Sequence, residues 1–223
     1  MTDRREVEFK LQLRGESDVR SLLDSLGVSH CESVLQINHF FDTEDGALAS
    51  GHWAMRLREE GPRTVLTAKG PARASKDAAV SDRPEEECDV DLATRAGILE
   101  GRQDPLAALM QSVSEASELL SLMRAAKGAQ VLSEVGSFEN QRRKVGPIAI
   151  APGGDSIELV LELDRTQYPG DRVYYELEVE VERAHAERVG GQLRALFTEL
   201  GLEWLHAPNK AQRFRAALQG RDI

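Results

Sequence analysis

Glu6-Val7-Glu8-Phe9-Lys10, inside the longer run Arg5 to Arg14, decides how this chain is read. Taken with the two-residue period of a β-strand, the run divides into two faces. Glu6, Glu8, Lys10, Gln12 and Arg14 point one way, and Val7, Phe9, Leu11 and Leu13 the other. Successive charges on one face then stand roughly 6–7 Å apart. A single charged strand face is ordinarily the wet side of an antiparallel sheet. Here several later strands repeat the pattern with complementary signs.

Working outward, Glu16 to Leu26 carries Val19, Leu22, Leu23 and Leu26 at helical spacing and stops at Gly27. Val28 to Asp42 reads as extended, and Asp45-Gly46 and Ser50-Gly51 mark turns. Trp53 to Glu60 alternates Trp53, Met55 and Leu57 with Ala54, Arg56 and Arg58. After Gly61-Pro62, Arg63 to Lys69 puts Val65, Thr67 and Lys69 on one face. Pro71 to Asp82 is small and polar, the composition of a mobile loop. If Arg83 to Asp91 is extended, Arg83, Glu85, Glu87 and Asp89 share a face. Pro84 would confine that strand to an edge or a bulge.

Between residues 92 and 127 the chain becomes helical in composition, broken at Gly101 and Asp104-Pro105 into at least two pieces. The strand pattern then resumes with the same chemistry, so these helices read as an insertion in one domain of residues 1–223 and not as a boundary. Val131 to Lys144, Ile157 to Asp164 and Tyr174 to Glu182 are the later strands. Pro152-Gly153-Gly154-Asp155 and Pro169-Gly170-Asp171 are turns between them. His185 to Leu200 and Lys210 to Leu218 close the chain as amphipathic helices.

About eight strands, each with one apolar and one charged face, and helices that need an apolar surface, give an α+β chain. The helices must cover the apolar strand faces. In a closed antiparallel barrel the charged faces would then line the interior. Such an interior must hold water and balanced ions, because burying an unpaired ion costs several kcal/mol.

Glu176, Glu178, Glu180 and Glu182 fall on one face of one strand and repel each other. A divalent cation would relieve that repulsion. With oxygen ligands only, and no His or Cys cluster, the hard ions Mg2+, Mn2+ or Ca2+ fit better than zinc. Lys10, Arg56, Arg58, Lys69, Arg142 and Lys210 supply a surface for a polyanion. Carboxylates for metal and cations for phosphate are the parts of a phosphoryl-transfer site.

The net charge of −10, from 28 basic and 38 acidic residues in 223, argues against nucleic acid or an anionic membrane as partner. Cys31 and Cys88 have no metal-ligand spacing and read as reduced thiols, a single disulfide remaining open. No apolar run approaches a membrane span, and the first residues carry no apolar leader. The expectation is a soluble, cytoplasmic protein. Trp53 and Trp204 read as packing residues. Gly153-Gly154 is too short for a phosphate loop, and no Walker motif, nucleophile elbow or Cys–His pair is present.

These motifs together resemble the CYTH superfamily, the triphosphate tunnel metalloenzymes. The resemblance rests on Glu6-x-Glu8-x-Lys10, Phe41-Asp42-Thr43, Arg56-x-Arg58, Lys69 and Arg83-x-Glu85-x-Glu87. It continues through Arg142, Glu162-x-Asp164, Glu176-x-Glu178-x-Glu180 and Lys210. It implies an eight-stranded antiparallel tunnel that binds a triphosphate or polyphosphate with Mg2+ or Mn2+. By the same carry-over Glu6, Glu8, Glu178 and Glu180 are the first metal and water ligands, followed by Glu85, Glu87, Glu162 and Asp164. Glu6, Glu8 and Lys10 are the implied catalytic residues, and Lys10, Arg56, Arg58, Lys69, Arg83, Arg142 and Lys210 the implied phosphate ligands. Ser137-Phe138-Glu139-Asn140 and the run Leu161 to Tyr168 look most like the inorganic tripolyphosphatase and thiamine triphosphatase branches. A class IV adenylyl cyclase and a non-catalytic polyphosphate sensor use the same ligands and stay open as alternatives. The residues do not specify an oligomeric state.

Overall fold

Alternation is realised as eight strands that close on themselves. The computed structural model describes residues 5–73, 77, 79–113, 117–150 and 157–221; the side chains of Arg5 and Glu6 lie outside that description. In chain order the elements are β1 (Arg5–Leu13), α1 (Glu16–Ser25), β2 (Ser33–Asp42), α2 (Ala47–Ser50), β3 (Ala54–Glu60), β4 (Arg63–Lys69) and β5 (Val80–Asp89). Three helices follow, α3 (Leu92–Leu99), α4 (Pro105–Ser112) and α5 (Glu118–Lys127). The chain then continues through β6 (Ser133–Ala149), β7 (Glu158–Tyr168), β8 (Arg172–Glu180), α6 (Ala186–Glu199) and α7 (Lys210–Leu218). The strand order is β1-β5-β4-β3-β2-β6-β7-β8, and β8 pairs back to β1 in antiparallel register, Lys10 opposite Glu178. The result is a closed antiparallel barrel with its helices outside.

The residues sort into two units by their contacts. One contains Leu35–Arg73 and Arg83–Glu139. Its strands turn Phe41, Met55, Leu57, Leu66 and Ala68 outward, where Leu48, Ile98, Leu106, Leu109, Leu120 and Met123 of the helices cover them. The other contains Glu6–Val34, Ala74–Asp82 and Asn140–Ile223. There Phe9, Leu11, Leu161, Leu163, Leu177 and Val179 meet Val19 and Leu22 of α1 and Val189, Leu193 and Phe197 of α6. Each fully buried Leu or Phe contributes about 1.5–3 kcal/mol, so both helical covers are bound by many such residues. Gly190 lets α6 approach β1 closely, since a Cβ there would stand 3.0 Å from Phe9 Cζ.

Local chemistry sets the ends. Asp104 caps α4 by accepting from Ala107 N at 3.0 Å, with Pro105 in the first turn. Asn209 caps α7 by accepting from Gln212 N at 2.8 Å, so Lys210 is its first helical residue. Gly170 and Asp171 adopt φ of 81° and 57° in the turn that joins β7 to β8.

Four readings of the sequence change. Residues 28–32 are not strand, and β2 begins at Ser33. A short helix, α2, lies between the two turns expected at Asp45-Gly46 and Ser50-Gly51, capped by Asp42, whose carboxylate accepts from Leu48 N and Ala49 N. Val80–Asp82 belong to β5 and not to a loop; part of that expected loop, and the turn expected at residues 152–155, lie outside the described residues. Pro84 lies within β5, which has β1 and β4 on its two sides and is therefore not an edge strand. The ladder from β5 to β4 starts one residue later, at Lys69 opposite Glu85, and runs to Val65 opposite Asp89. Cys31 and Cys88 are free thiols. Among the described residues no helix is long and apolar enough to cross a membrane.

Candidate active site

The face of each strand opposite its apolar cover carries the charges. In the unit built on β1, β7 and β8, register brings like charges together: Glu162 stands opposite Glu178, and Asp164 opposite Glu176. Like charges directly opposed destabilise a ladder. Cations from three other elements compensate. Lys10 of β1, opposite Glu178 in register, pairs with it and lies 3.0 Å from Glu8. Arg142 of β6 forks onto Asp164, Nε to Oδ1 at 2.8 Å and Nη2 to Oδ2 at 2.6 Å, and also meets Glu162 and Glu178. Lys210 of α7 places its ammonium 2.8 Å from Asp164 and 3.0 Å from Glu178, in contact with Glu176 as well. Arg213, one turn further along α7, donates to Glu176 Oε2 at 2.8 Å and lies over the Tyr174 ring.

Every one of these groups except Glu162 and Tyr174 is buried. Burial alone would raise the pKa of Asp164, but the Lys210 ammonium and the Arg142 guanidinium hold it below the usual carboxylate range. Glu178 is likewise held well below, burial being outweighed by Lys10, Lys210 and Arg142. Burial also opposes the charge on Lys210, yet Asp164, Glu176 and Glu178 raise its pKa. All three stay ionised across the neutral range.

The other unit is different in kind. On β2, β3 and β4 the matching face carries Gln36, Asn38, Phe40, Arg56, Arg58, Val65, Thr67 and Lys69. Arg56 donates to Thr67 Oγ1 at 3.2 Å and has no carboxylate partner among the described residues. Arg58 Nε donates to Asn38 Oδ1 at 2.9 Å. Lys69 pairs with Glu85 at 2.7 Å.

Among the residues singled out in the sequence, the structure draws Glu8, Lys10, Arg142, Glu162, Asp164, Glu178 and Lys210 into one ion network. The side chain of Glu6 lies outside the described residues. Glu180, opposite Glu8 at the end of β8, is exposed. Glu182 leaves the row altogether, because β8 ends at Glu180 and a 3-10 turn begins at Arg183. Glu87 is half exposed and 4.0 Å from Arg63. Arg83 is buried against the main chain, donating to the carbonyls of Gly70 at 2.9 Å and His52 at 3.4 Å. Glu176 and Arg213 join the network although the motifs did not single them out as ligands. Three of the buried carboxylates, Asp164, Glu176 and Glu178, bring one oxygen each within 4.8 Å of one another. An all-oxygen, all-anionic set of this kind suits a hard divalent cation.

A closed eight-stranded antiparallel barrel with helices outside, carrying buried charges of both signs, matches the triphosphate tunnel fold. The CYTH domain matches residues 4–214, and the chain belongs to that family. Of solved structures, the HpAC1 protein of Hippeastrum is similar over 98% of this chain and 97% of its own, at 28% identity and a TM-score of 0.75. It is described under a provisional adenylyl cyclase name as having a dominant triphosphatase activity. A Bacillus halodurans protein provisionally named an adenylate cyclase matches over 94% of this chain and 98% of its own, with a TM-score of 0.66 and 20% identity. PH1819 of Pyrococcus horikoshii covers 97% and 99%, with a TM-score of 0.58 and 16% identity. These two speak to the fold alone. YjbK of Bacillus subtilis (strain 168), which carries a provisional triphosphatase name, is 35% identical over 72 residues, 32% of this chain and 37% of YjbK. That match therefore spans little more than a third of the curated relative.

Proposed function

We propose that this protein is a divalent-metal-dependent hydrolase of triphosphates, acting on inorganic tripolyphosphate in preference to nucleoside triphosphates. The observation that carries the reading is the buried network in which carboxylates of β7 and β8 alternate with cations of β1, β6 and α7. Buried charge of both signs is costly unless it is paired, and a phosphate with its cation is a ligand that pairs with both. The activity described for HpAC1 supports hydrolysis over cyclisation.

Asp164, Glu176 and Glu178, with Glu8 beside Lys10, would hold the metal, which supplies Lewis acidity and charge neutralisation when bound. Mg2+ and Mn2+ both suit the donor set. Arg56, Arg58 and Lys69, with Lys10, Arg142 and Lys210, are assigned to the phosphate oxygens. Glu6 and Glu8 are assigned to orienting the attacking water. Its oxygen bonds to a terminal phosphorus, the anhydride P–O bond breaks, pyrophosphate leaves, and the water's protons pass to carboxylate and solvent. Localisation in the cytoplasm, and a small-molecule triphosphate as the partner in place of nucleic acid or membrane, belong to the same proposal.

The test is release of phosphate, pyrophosphate and cyclic AMP from tripolyphosphate, thiamine triphosphate and ATP with Mg2+ or Mn2+. Tripolyphosphate should give pyrophosphate and phosphate with kcat/KM at least about tenfold above ATP, a margin of ~1.4 kcal/mol. Cyclic AMP as the main product, with tripolyphosphate inert, would replace the hydrolase by a cyclase. Tight binding without turnover would leave a sensor.

A further inference from the structure

The inner face of β2 and β3 contains two buried hydrogen-bond donors that have no acceptor among the described residues. Asn38 is wholly buried, and its Nδ2 has no acceptor among the described residues. Its orientation is not free. Arg58 can only donate, and its Nε meets the Asn38 side chain at 2.9 Å, so Oδ1 must face Arg58 and Nδ2 must point away. Arg56 spends a terminal nitrogen on Thr67 Oγ1, and its Nε is likewise buried without an acceptor. Asn38 stands opposite Arg58, and Arg56 opposite Phe40, which makes Asn38 and Arg56 diagonal neighbours on one face.

Phe40, opposite Arg56, lies on the same face. Phe40 stacks on Phe138 with ring centroids 5.6 Å apart, and both rings are buried outside the two helix-covered cores. A buried donor without an acceptor is destabilising, so two such donors side by side need a reason to persist. The Arg58 contact fixes one in place, and the Thr67 contact the other.

We infer that Asn38 Nδ2 and Arg56 Nε together form a subsite for one non-bridging phosphate oxygen, with Asn38 the specificity residue that no charge pattern reveals. The inference rests on the triphosphate reading above and names the part of the ligand this face takes. Two donors whose neighbouring acceptors are already taken suit a group that only accepts. A deprotonated phosphoryl oxygen is such a group. A sugar hydroxyl or a base amino group brings a proton for which neither Asn38 nor Arg56 offers an acceptor.

The experiment titrates imidotriphosphate with Mg2+ into the intact protein by calorimetry, and follows thermal unfolding without ligand. Asn38→Asp keeps the size and the Arg58 contact but removes the unmatched donor and adds a like charge. We expect it to bind at least ~10-fold more weakly than the natural protein, with Tm unchanged or higher. Asn38→Leu, similar in volume, should show a comparable loss of affinity and carries the test if the Asp variant does not fold. Binding within twofold of the natural protein in either folded variant would overturn the subsite. So would a fall in the ligand-free Tm of Asn38→Asp alongside the lost affinity, which would make Asn38 a structural residue. No binding of imidotriphosphate by the natural protein would instead remove the triphosphate reading on which the subsite rests.

Discussion

The Lys210 ammonium stands 2.8 Å from the Asp164 carboxylate, where the first residue of a C-terminal helix meets the inner face of β7. It also touches Glu176 and Glu178, and these three residues are the ones whose oxygens converge within 4.8 Å. Lys210→Met therefore strips the shared cation from three buried carboxylates. Breaking a buried ion pair from one side costs about 3–5 kcal/mol. We expect a marked fall in Tm in chelator, and a larger recovery on adding Mn2+ than the natural protein shows. An equal response to Mn2+ in both proteins would remove Asp164, Glu176 and Glu178 as metal ligands.

Glu178 and Glu182 look alike in the sequence and should behave differently. Relief of like-charge repulsion predicts that neutralising either leaves stability alone. Glu178, however, is bonded to Lys10, Lys210 and Arg142. Glu178→Gln should lose stability by about 1–3 kcal/mol and reduce kcat by a factor of roughly 10² or more. Glu182→Gln should change neither, and steady-state kinetics with thermal unfolding of both proteins decides the matter.

Arg56 and Arg83 divide in the same way. Arg56→Ala should weaken imidotriphosphate binding by roughly 1.5–3 kcal/mol, the worth of hydrogen bonds to a charged group, with little change in Tm. Arg83→Ala should lower Tm, because its guanidinium holds the carbonyls of Gly70 and His52. Equal losses of affinity in the two would mean diffuse attraction in place of defined contacts.

Acid should unfold the protein through the network. In the unfolded chain Asp and Glu titrate near ~3.9 and ~4.3, and in the fold Asp164 and Glu178 titrate lower. Their contribution is complete above about pH 5 and is lost as pH falls through the unfolded values toward the folded ones. Lys210, raised by its carboxylate neighbours, works in the other direction, its contribution present below about 10.5 and lost as pH climbs past the raised value. Urea unfolding between pH 2 and 7 should show a steep acid limb that becomes shallower in Asp164→Asn.

How legible this was depends on the scale of the physics involved. β4 spans Arg63–Lys69 and α7 spans Lys210–Leu218 as the residue patterns indicate, because local periodicity and an Asn cap set both. The closed barrel also followed from periodicity, since helices with apolar faces left the strands only one side on which to keep their charges. Periodicity says nothing about where a strand stops, so Glu180 and Glu182 were grouped with Glu178 although one is exposed and the other lies past the end of β8. Glu176 became a central group through Lys210 and Arg213, more than thirty residues later in the chain. Asn38 was invisible for a similar reason: its unmatched donor exists only because Arg58 occupies the other end of its amide. Arg83 was assigned to phosphate through the motif Arg83-x-Glu85-x-Glu87, and the backbone carbonyls of Gly70 and His52 to which it donates carry no sequence signal.

The pairing of Asp164, Glu176 and Glu178 with Lys210 and Arg142 also changes what recognition means here. A wall of bare carboxylates would admit a cation by simple attraction, and a wall of bare cations would admit phosphate in the same way. This face already carries its own counter-ions, fixed to the polymer like the charges of an exchange resin. On the proposed reading, loading it would be a double exchange, in which a metal would take carboxylates from lysine and arginine and phosphate would take the lysine and arginine released. Half a ligand, metal without phosphate or phosphate without metal, would then leave one partner of each broken pair stranded.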